Sequence, residues 1–312
     1  MYDKKAAMSN KIDLQIQSNV SDGKYSPAEL VRRAKSLGLE TIAITDHDTV
    51  DGILEAWEEG KNQRIKVIPG IEMSCRFMEH GIHILGFGID RRNPALVSRL
   101  KEFQEERKKK TERIVELLQK AGFKITFEDV QKEATGSTMA RPHIALALLH
   151  NPENKEKLGS LNTVHKVIEE WLVTGKPTYV DRKEIETKEA IKLIHNAGGV
   201  AIWSHPTVSI RNNFQKTEEV LKAFISYDID GLEAFHPDYS EDETEFLNTL
   251  TGQYGLLRSA GSDFHREPGP GETTEGGDTL ASFETYGFDI SDIISKLESA
   301  ILKRQLKSEM QT

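Results

Sequence analysis

Two periodicities alternate along the first part of the chain. Ile12, Leu14 and Ile16 recur every second residue, with Gln15 and Gln17 on the other face, which is the spacing of a strand. Leu30, Val31, Ala34 and Leu37 then recur at helical spacing. The start of that helix is written in Ser26-Pro27-Ala28-Glu29, with Ser26 as N-cap, Pro27 at the first helical position and Glu29 closing a capping box; Gly38 ends it. TIAIT (Thr41–Thr45) is a near-continuous apolar run, as expected of a parallel strand buried on both faces. A helix near 51–61 and strands in KVIPGIE and HILGFGI follow.

The rhythm changes near Pro94. Residues up to about Ala121 predict one long, charged helix with apolar marks at Leu96, Leu100, Phe103, Ile114, Leu117 and Leu118. AGFKITFEDV, a helix around Pro142–Leu149, the polar loop NPENKEKLGS and a helix over Thr163–Val173 come next, with little strand signal. Alternation resumes with helix Thr187–Asn196, strand GVAIWSH, helix Glu218–Tyr227, strand GLEAF, helix Glu241–Tyr254 and strand LLRSAGSDFH, then a last helix near Ile290–Leu306. Gly269–Thr279 reads as a flexible loop. About seven core strands, mostly each followed by a helix, predict a barrel-like α/β domain rather than an open sheet. The expected organisation is a barrel from 10–94 and 181–290, a helical insertion at 95–180, and a C-terminal helix and tail at 291–312.

Composition narrows the class. The 312 residues are 37% hydrophobic and 29% charged, ordinary for a globular chain. A net charge of −9 argues against a broad electrostatic footprint for nucleic acid, though not against a small phosphorylated substrate. One cysteine, Cys75, leaves no internal disulfide framework and is expected to be an inert core residue in a reducing compartment. MYDKKAAMSNK lacks an apolar signal region and no run approaches the ~18 apolar residues of a membrane span, so a cytoplasmic location is expected.

Nearly every strand ends in a potential metal ligand: Gln15, Gln17 and Asp22; Asp46-His47-Asp48; Glu72; His83; His205; Glu233 with His236; Asp263 with His265. In a β/α barrel, strand C-termini carry the functional groups. A lone histidine needs no role, but this recurrence of imidazole and carboxylate suits Zn, Mn or Fe, with carboxylates able to bridge two ions. Asp46 and Asp48 are expected to make turn or orienting hydrogen bonds around His47 rather than to ligate. The Arg107–Arg113 run is expected to be a solvated helix face, His80, His150, His165 and His195 to carry no role, and Trp57, Trp171 and Trp203 to pack in the core.

DLQIQSNVSDG, TDHDT, GIE, HILGFG, RPHIA, WSHP and GSDFH, in this order, resemble the PHP (polymerase and histidinol phosphatase) superfamily, and within it the TrpH-like phosphoesterase branch. That branch opens with D-L-H-x-H and closes with G-S-D-x-H. The resemblance covers essentially the whole chain. It implies a distorted (β/α)7 TIM-like barrel with a helical insertion, and two or three divalent ions at the strand ends. One ion would use the Gln15 and Gln17 positions with Glu72 and Asp263; a second Glu72, His83 and His205; a third Asp22, His47 and His265. It implies hydrolysis of phosphate esters of nucleotides or 5′-phosphorylated short RNA by a metal-activated hydroxide, with Glu72, Asp263 and His265 at the reacting centre; no stable protein partner is evident in the sequence. Arg141 and His143 are expected to clamp a substrate phosphate, the alternative being that Arg141-Pro142 opens a helix that His143 caps. His236 is expected at the substrate phosphate or, equally, among supporting polar groups.

Gln15 and Gln17 stand where that pattern has two histidines. A neutral amide oxygen is a weak ligand for the metals imidazole favours. The expectation is an impaired enzyme, or alternatively a domain that binds phosphorylated ligands without turnover.

Overall fold

The computed structural model describes residues 11–134, 139–173, 175–180, 185–211, 213–269 and 276–309. Most of the N-terminal MYDKKAAMSNK, residue 181 at the expected boundary, part of the Gly269–Thr279 loop and residues 310–312 lie outside them. No helix among the described residues is long and apolar enough to cross a membrane.

The elements run β1 (Ile12–Ile16), α1 (Pro27–Ser36), β2 (Thr41–Ile44), α2 (Ile53–Gln63), β3 (Lys66–Phe77), β4 (His80–Phe87), α3 (Pro94–Lys120), α4 (Phe127–Glu133), α5 (Arg141–His150), α6 (Lys155–Leu158), α7 (Val164–Val167), β5 (Ile185–Glu186), α8 (Thr187–Asn196), β6 (Val200–Trp203), α9 (Pro206–Ser209), α10 (Phe214–Ile225), β7 (Gly231–Phe235), α11 (Glu241–Tyr254), β8 (Leu257–Ala260) and α12 (Ile293–Glu309). Pairing follows β1-β2-β3-β4-β6-β7-β8, with β5 added to the far end of β3. A parallel bridge between Ile16 and Phe264, carrying Gln17 N–H to Phe264 C=O at 2.9 Å, joins the last segment to the first. Seven strands thus make a nearly closed barrel. β1, β2, β6 and β7 are buried along their whole length, apolar and polar positions alike, because helices cover the outside and side chains fill the inside.

One connection departs from the strand-helix alternation. β3 and β4 are an antiparallel hairpin turned at Met78-Glu79, with Met78 at φ 53°, rather than two strands of the β/α repeat. β4 also pairs antiparallel with β6. The start of β4 therefore stands at the same pole of the barrel as the ends of its neighbours.

Local chemistry sets the helix ends. Ser26 accepts from Glu29 N–H at 3.2 Å, but the Glu29 carboxylate turns to Arg33 instead of closing the expected box. Complete capping boxes are instead at Thr126/Asp129 and Ser240/Glu243. The helix expected over Thr163–Val173 is α7 followed by a π-helical turn at Ile168–Leu172.

Helix α3, 27 residues and about 40 Å long, belongs to two cores. Leu96, Leu100 and Phe103 pack on the barrel, whereas Ile114, Val115 and Leu118 join Phe123, Val130, Ile144, Leu148 and Leu172 in a separate cluster. Arg107 lies where one half gives way to the other.

Trp203 is buried and Trp171 packs edge-on against Phe123 at 4.8 Å. Trp57 is 45% exposed, with Lys61 Nζ 3.2 Å from its ring centre, so it is a surface residue on α2 and not part of the core. Cys75 is buried, its Sγ 3.4 Å from Thr187 Oγ1.

Candidate metal centre

Strand periodicity puts Gln15 and Gln17 on the inner face of β1, both fully buried. Close approach there depends on Gly261 of the neighbouring segment, where an added Cβ would lie 2.4 Å from Gln15 Cβ. After β1 the chain folds into a turn in which Gly23 N–H bonds Ser18 C=O at 2.9 Å, carrying Asp22 to the mouth. The turn is held by Asp46, whose carboxylate accepts from Ser18 N, Ser18 Oγ and Ser21 Oγ, each at 2.7 Å. Asp48 likewise accepts from Ser74 N at 2.9 Å and pairs with Arg107. Both aspartates make the orienting bonds expected of them.

Glu72, on the inner face of β3, is the hub. Its Oε1 lies 3.0 Å from His83 Nδ1 and 3.3 Å from His205 Nε2, and those two nitrogens are 3.2 Å apart. Its Oε2 accepts from Gln17 Nε2 at 2.6 Å and Gln15 Nε2 at 3.2 Å. His47 Nδ1 is 3.9 Å from the same oxygen. Burial alone would raise the Glu72 carboxyl, but the imidazoles of His47, His205 and His83 outweigh it and hold the group well below the usual carboxylate range.

Two sets of donor atoms converge closely enough for a cation: Asp22, His47 and His265, and His47, Glu72 and His83, within 4.8 Å in each set. The first is one of the three ligand groups expected from the sequence; the second joins His47 to the Glu72–His83 part of another. Ring contacts of 4.9 Å between His47 and His83, 5.1 Å between His83 and His205, and 5.8 Å between His205 and His236 make these imidazoles one continuous arc. His83, in the first half of β4, reaches the mouth only because that strand runs backwards.

The β8 end supplies Asp263 and His265. His265 Nε2 is 3.6 Å from Asp22 Oδ1. Asp263 Oδ2 is 3.9 Å from His236 Nε2. His236 is only 3% exposed, with its Nδ1 accepting Asp238 N–H at 3.2 Å, so it lies beneath the mouth against Asp263. Burial opposes ionisation of Asp22 and Asp263, yet neighbouring histidines keep both carboxyls below their ordinary value: His47 and His265 act on Asp22, His265 and His236 on Asp263. Glu233 differs. Burial, opposed by the His205 N–H and reinforced by Asp263, Glu72 and Asp13, lifts its carboxyl well above the ordinary value. Asp48, His205 and Asp263 hold left-handed backbone at φ 54°, 30° and 50°, conformations side chains adopt rarely and mostly where function or tight turns demand them.

Over the mouth lies a cavity of about 230 Å³. Asp22, His47 and His83 line it from the barrel; Arg107, Lys110, Arg141 and Ile168 line it from the helical segments above, and Tyr179 from the turn that follows them. Arg141 is the first residue of α5, and its side chain borders the cavity. His143 Nδ1 accepts Ala140 N–H at 3.0 Å, so the helix-capping geometry weighed for it is present. Arg107 and Lys110 were expected on a solvated face. Spacing of 107, 110, 111 and 114 puts them on the helix face turned to the cavity, and the guanidinium is anchored on Asp48. That spacing was the available signal. The Ser204 hydroxyl, 3.0 Å from Gln15 Nε2, was not foreseen and had no signal in the sequence beyond its place before His205.

A family model for the PHP domain matches residues 13–234. The chain belongs to the PHP domain family. Among its relatives, a 5′-3′ exoribonuclease of Haemophilus influenzae is 32% identical over 260 residues, covering 83% of this chain and 91% of that protein. A 3′,5′-nucleoside bisphosphate phosphatase of Chromobacterium violaceum is 30% identical over 295 residues, covering 94% and 98%. Of solved structures, a Chromobacterium violaceum amidohydrolase with bound sulfate and no metal superposes with a TM-score of 0.79 at 28% identity, covering 93% and 96%. A Bifidobacterium adolescentis protein assigned as a metal-dependent phosphoesterase gives 0.77 at 27%, covering 94% and 96%.

The donors of this PHP centre fit divalent cations. Imidazole nitrogens and carboxylate oxygens converge, and Asp22 Oδ1, Asp263 Oδ1 and His236 Nε2 are buried without a hydrogen-bond partner among the described residues.

Proposed function

We propose that this PHP barrel hydrolyses phosphate esters of nucleotides or of short RNA bearing a 5′-phosphate. Its class is that of a metal-dependent phosphoesterase. The observation carrying the finer reading is the shared cavity, in which candidate metal ligands form the floor and Arg107, Lys110 and Arg141 the wall. A substrate with one phosphate at the ligands and a second anionic group one nucleotide away matches this division of charge. Relatives named for bisphosphorylated nucleosides and for 5′-3′ RNA cleavage support the same substrate chemistry.

Asp22, His47 and His265, with Glu72, His83 and His205, would hold the cations, Glu72 and Asp263 lying nearest the reacting centre. When bound, the cations supply Lewis acidity toward phosphoryl oxygen and acidify water. Arg141 binds the second phosphate, Arg107 is kept in place by Asp48, and Asp46 fixes the turn that presents Asp22. Because both glutamine amides donate to Glu72, turnover is expected to be slow. A second reading, phosphate-ligand binding without turnover, rests on that same contact.

The test uses protein stripped with chelator, reloaded with Mn²⁺, and given a nucleoside 3′,5′-bisphosphate or a 5′-phosphorylated tetraribonucleotide. Release of phosphate identifies the first substrate and release of mononucleotide the second, in both cases faster in the Gln15→His/Gln17→His protein. No release above blank from either protein, with or without Mn²⁺, removes the enzymatic reading; binding that persists without release leaves the second.

A further inference from the structure

We infer that Gln15 and Gln17 close the Oε2 edge of Glu72 to cations, so that the centre takes two ions and no third. This rests on the reading of the site as a metal centre and concerns how this chain uses it.

The two edges of the Glu72 carboxylate face opposite chemistries. At Oε1, the Nδ1 of His83 and the Nε2 of His205 stand 3.0 and 3.3 Å away, nitrogens that offer lone pairs when the rings carry their proton on the other side. At Oε2 the nearest neighbours are two amide groups, at 2.6 and 3.2 Å, with His47 Nδ1 farther off at 3.9 Å. Their orientation follows from the carboxylate itself. Turning the Gln17 amide over would press its carbonyl oxygen against Glu72 Oε2 at about hydrogen-bond distance, acceptor against acceptor, and would take that carbonyl oxygen away from Ser21 Oγ, which now donates to it at 3.3 Å. Gln15 is held the same way by the carboxylate, its amide nitrogen donating to Oε2 at 3.2 Å and also reaching Ser204 Oγ at 3.0 Å. Its carbonyl oxygen is buried with no hydrogen-bond partner among the described residues, so the donor side of the amide is the side this site uses. Glu72, Gln15 and Gln17 are all fully buried. A cation at Oε2 would meet N–H groups pointing toward it and could displace them only by stranding buried polar atoms.

The amides thus satisfy that edge in place of a positive charge. Cations remain suited to the Oε1 side, with His83 and His205, and to Asp22, His47 and His265.

Elemental analysis after Mn²⁺ loading and desalting, combined with thermal melts in chelator, tests this. The unaltered chain is expected to hold two equivalents. Gln17→Glu replaces a donor 2.6 Å from Oε2 by a second carboxylate, which calls for a cation between them. It should take up a third equivalent and show a chelator-dependent fall in Tm about 4 °C beyond that of the unaltered chain. Gln15→His/Gln17→His, which replaces both donors by rings able to ligate, should also reach three and serves if Gln17→Glu does not fold. Three equivalents in the unaltered chain, or two in both folded variants, overturn the inference and leave the phosphoesterase reading intact. No bound ion in any of the proteins overturns both.

Discussion

Asp230, just ahead of β7, sits at the pole of the barrel opposite the candidate metal centre and ties three elements together. Its Oδ2 accepts Ala201 N–H of β6 and His195 Nε2 of α8, both at 2.8 Å, and its Oδ1 accepts Arg304 Nη2 of α12 at 2.7 Å. Its side chain is 14% exposed, so water replaces little of this when it is removed. Asp230→Ala leaves His195 and Arg304 facing a partly buried gap, Arg304 keeping only Asp228 among the described residues, 2.8 Å from its Nη1. Breaking a buried pair from one side costs about 3–5 kcal/mol, and the remaining carboxylate puts this case at the lower end, about 3 kcal/mol. With an unfolding entropy of about 2.1 cal/mol/K per residue over 312 residues, Tm should fall by about 5 °C at pH 7. The pH dependence has a definite sign. Burial would raise the Asp230 carboxyl, but the bonds from His195, Ala201 and Arg304 outweigh it and lower it beneath its ordinary 3.8. The unfolded chain therefore binds that proton more readily, and the stabilisation is complete above pH 3.8 and lost as pH falls through the lower, folded value. Calorimetry or dichroism melts of both proteins at pH 7 and across pH 5–3 measure it, and the gap between them should narrow toward the acid end. Phosphoester turnover per folded molecule should not change. A Tm within 1 °C of the unaltered chain at pH 7, or lost turnover at unchanged Tm, would refute the reasoning.

Three further outcomes are expected. Arg141→Ala should lower kcat/KM for a bisphosphorylated nucleotide about 10- to 100-fold, the loss of one charged hydrogen bond, with Arg141→Lys recovering part of it in steady-state assays. Asp22→Asn or His265→Ala should each cost one metal equivalent by elemental analysis and most of the turnover, since each removes one of three convergent donors. Gly23→Ala should lower Tm by about 2–5 °C, because the new Cβ would lie 2.1 Å from the Gln17 carbonyl oxygen and the turn that carries Asp22 must shift; an unchanged melt would show that the turn yields freely.

What could be read from the order of residues was everything that depends on residue type and local period. Period-two and helical stripes located the strands and most helices, and the clustering of imidazole and carboxylate at strand ends marked the metal centre, because the chemistry needs those side chains whatever surrounds them. Motif order carried the family. Other features depended on partners distant in the chain. The antiparallel course of β4 is decided by pairing with β3 and β6, and it alone brings His83 to the mouth. Trp57 is exposed because it stands on the outer face of α2, which no other described element covers, although its residue type suggested the core. Arg107 belongs to the cavity through Asp48, 59 residues away, and a charged run by itself gives no hint of that pairing. The glutamines show the division most clearly. Their identity disclosed that two ligands are missing, but not which way the amides turn. That choice is made by Glu72, brought within 3.2 Å of both amides by the closing of the barrel, because a buried carboxylate demands donors from whatever neighbour the fold supplies.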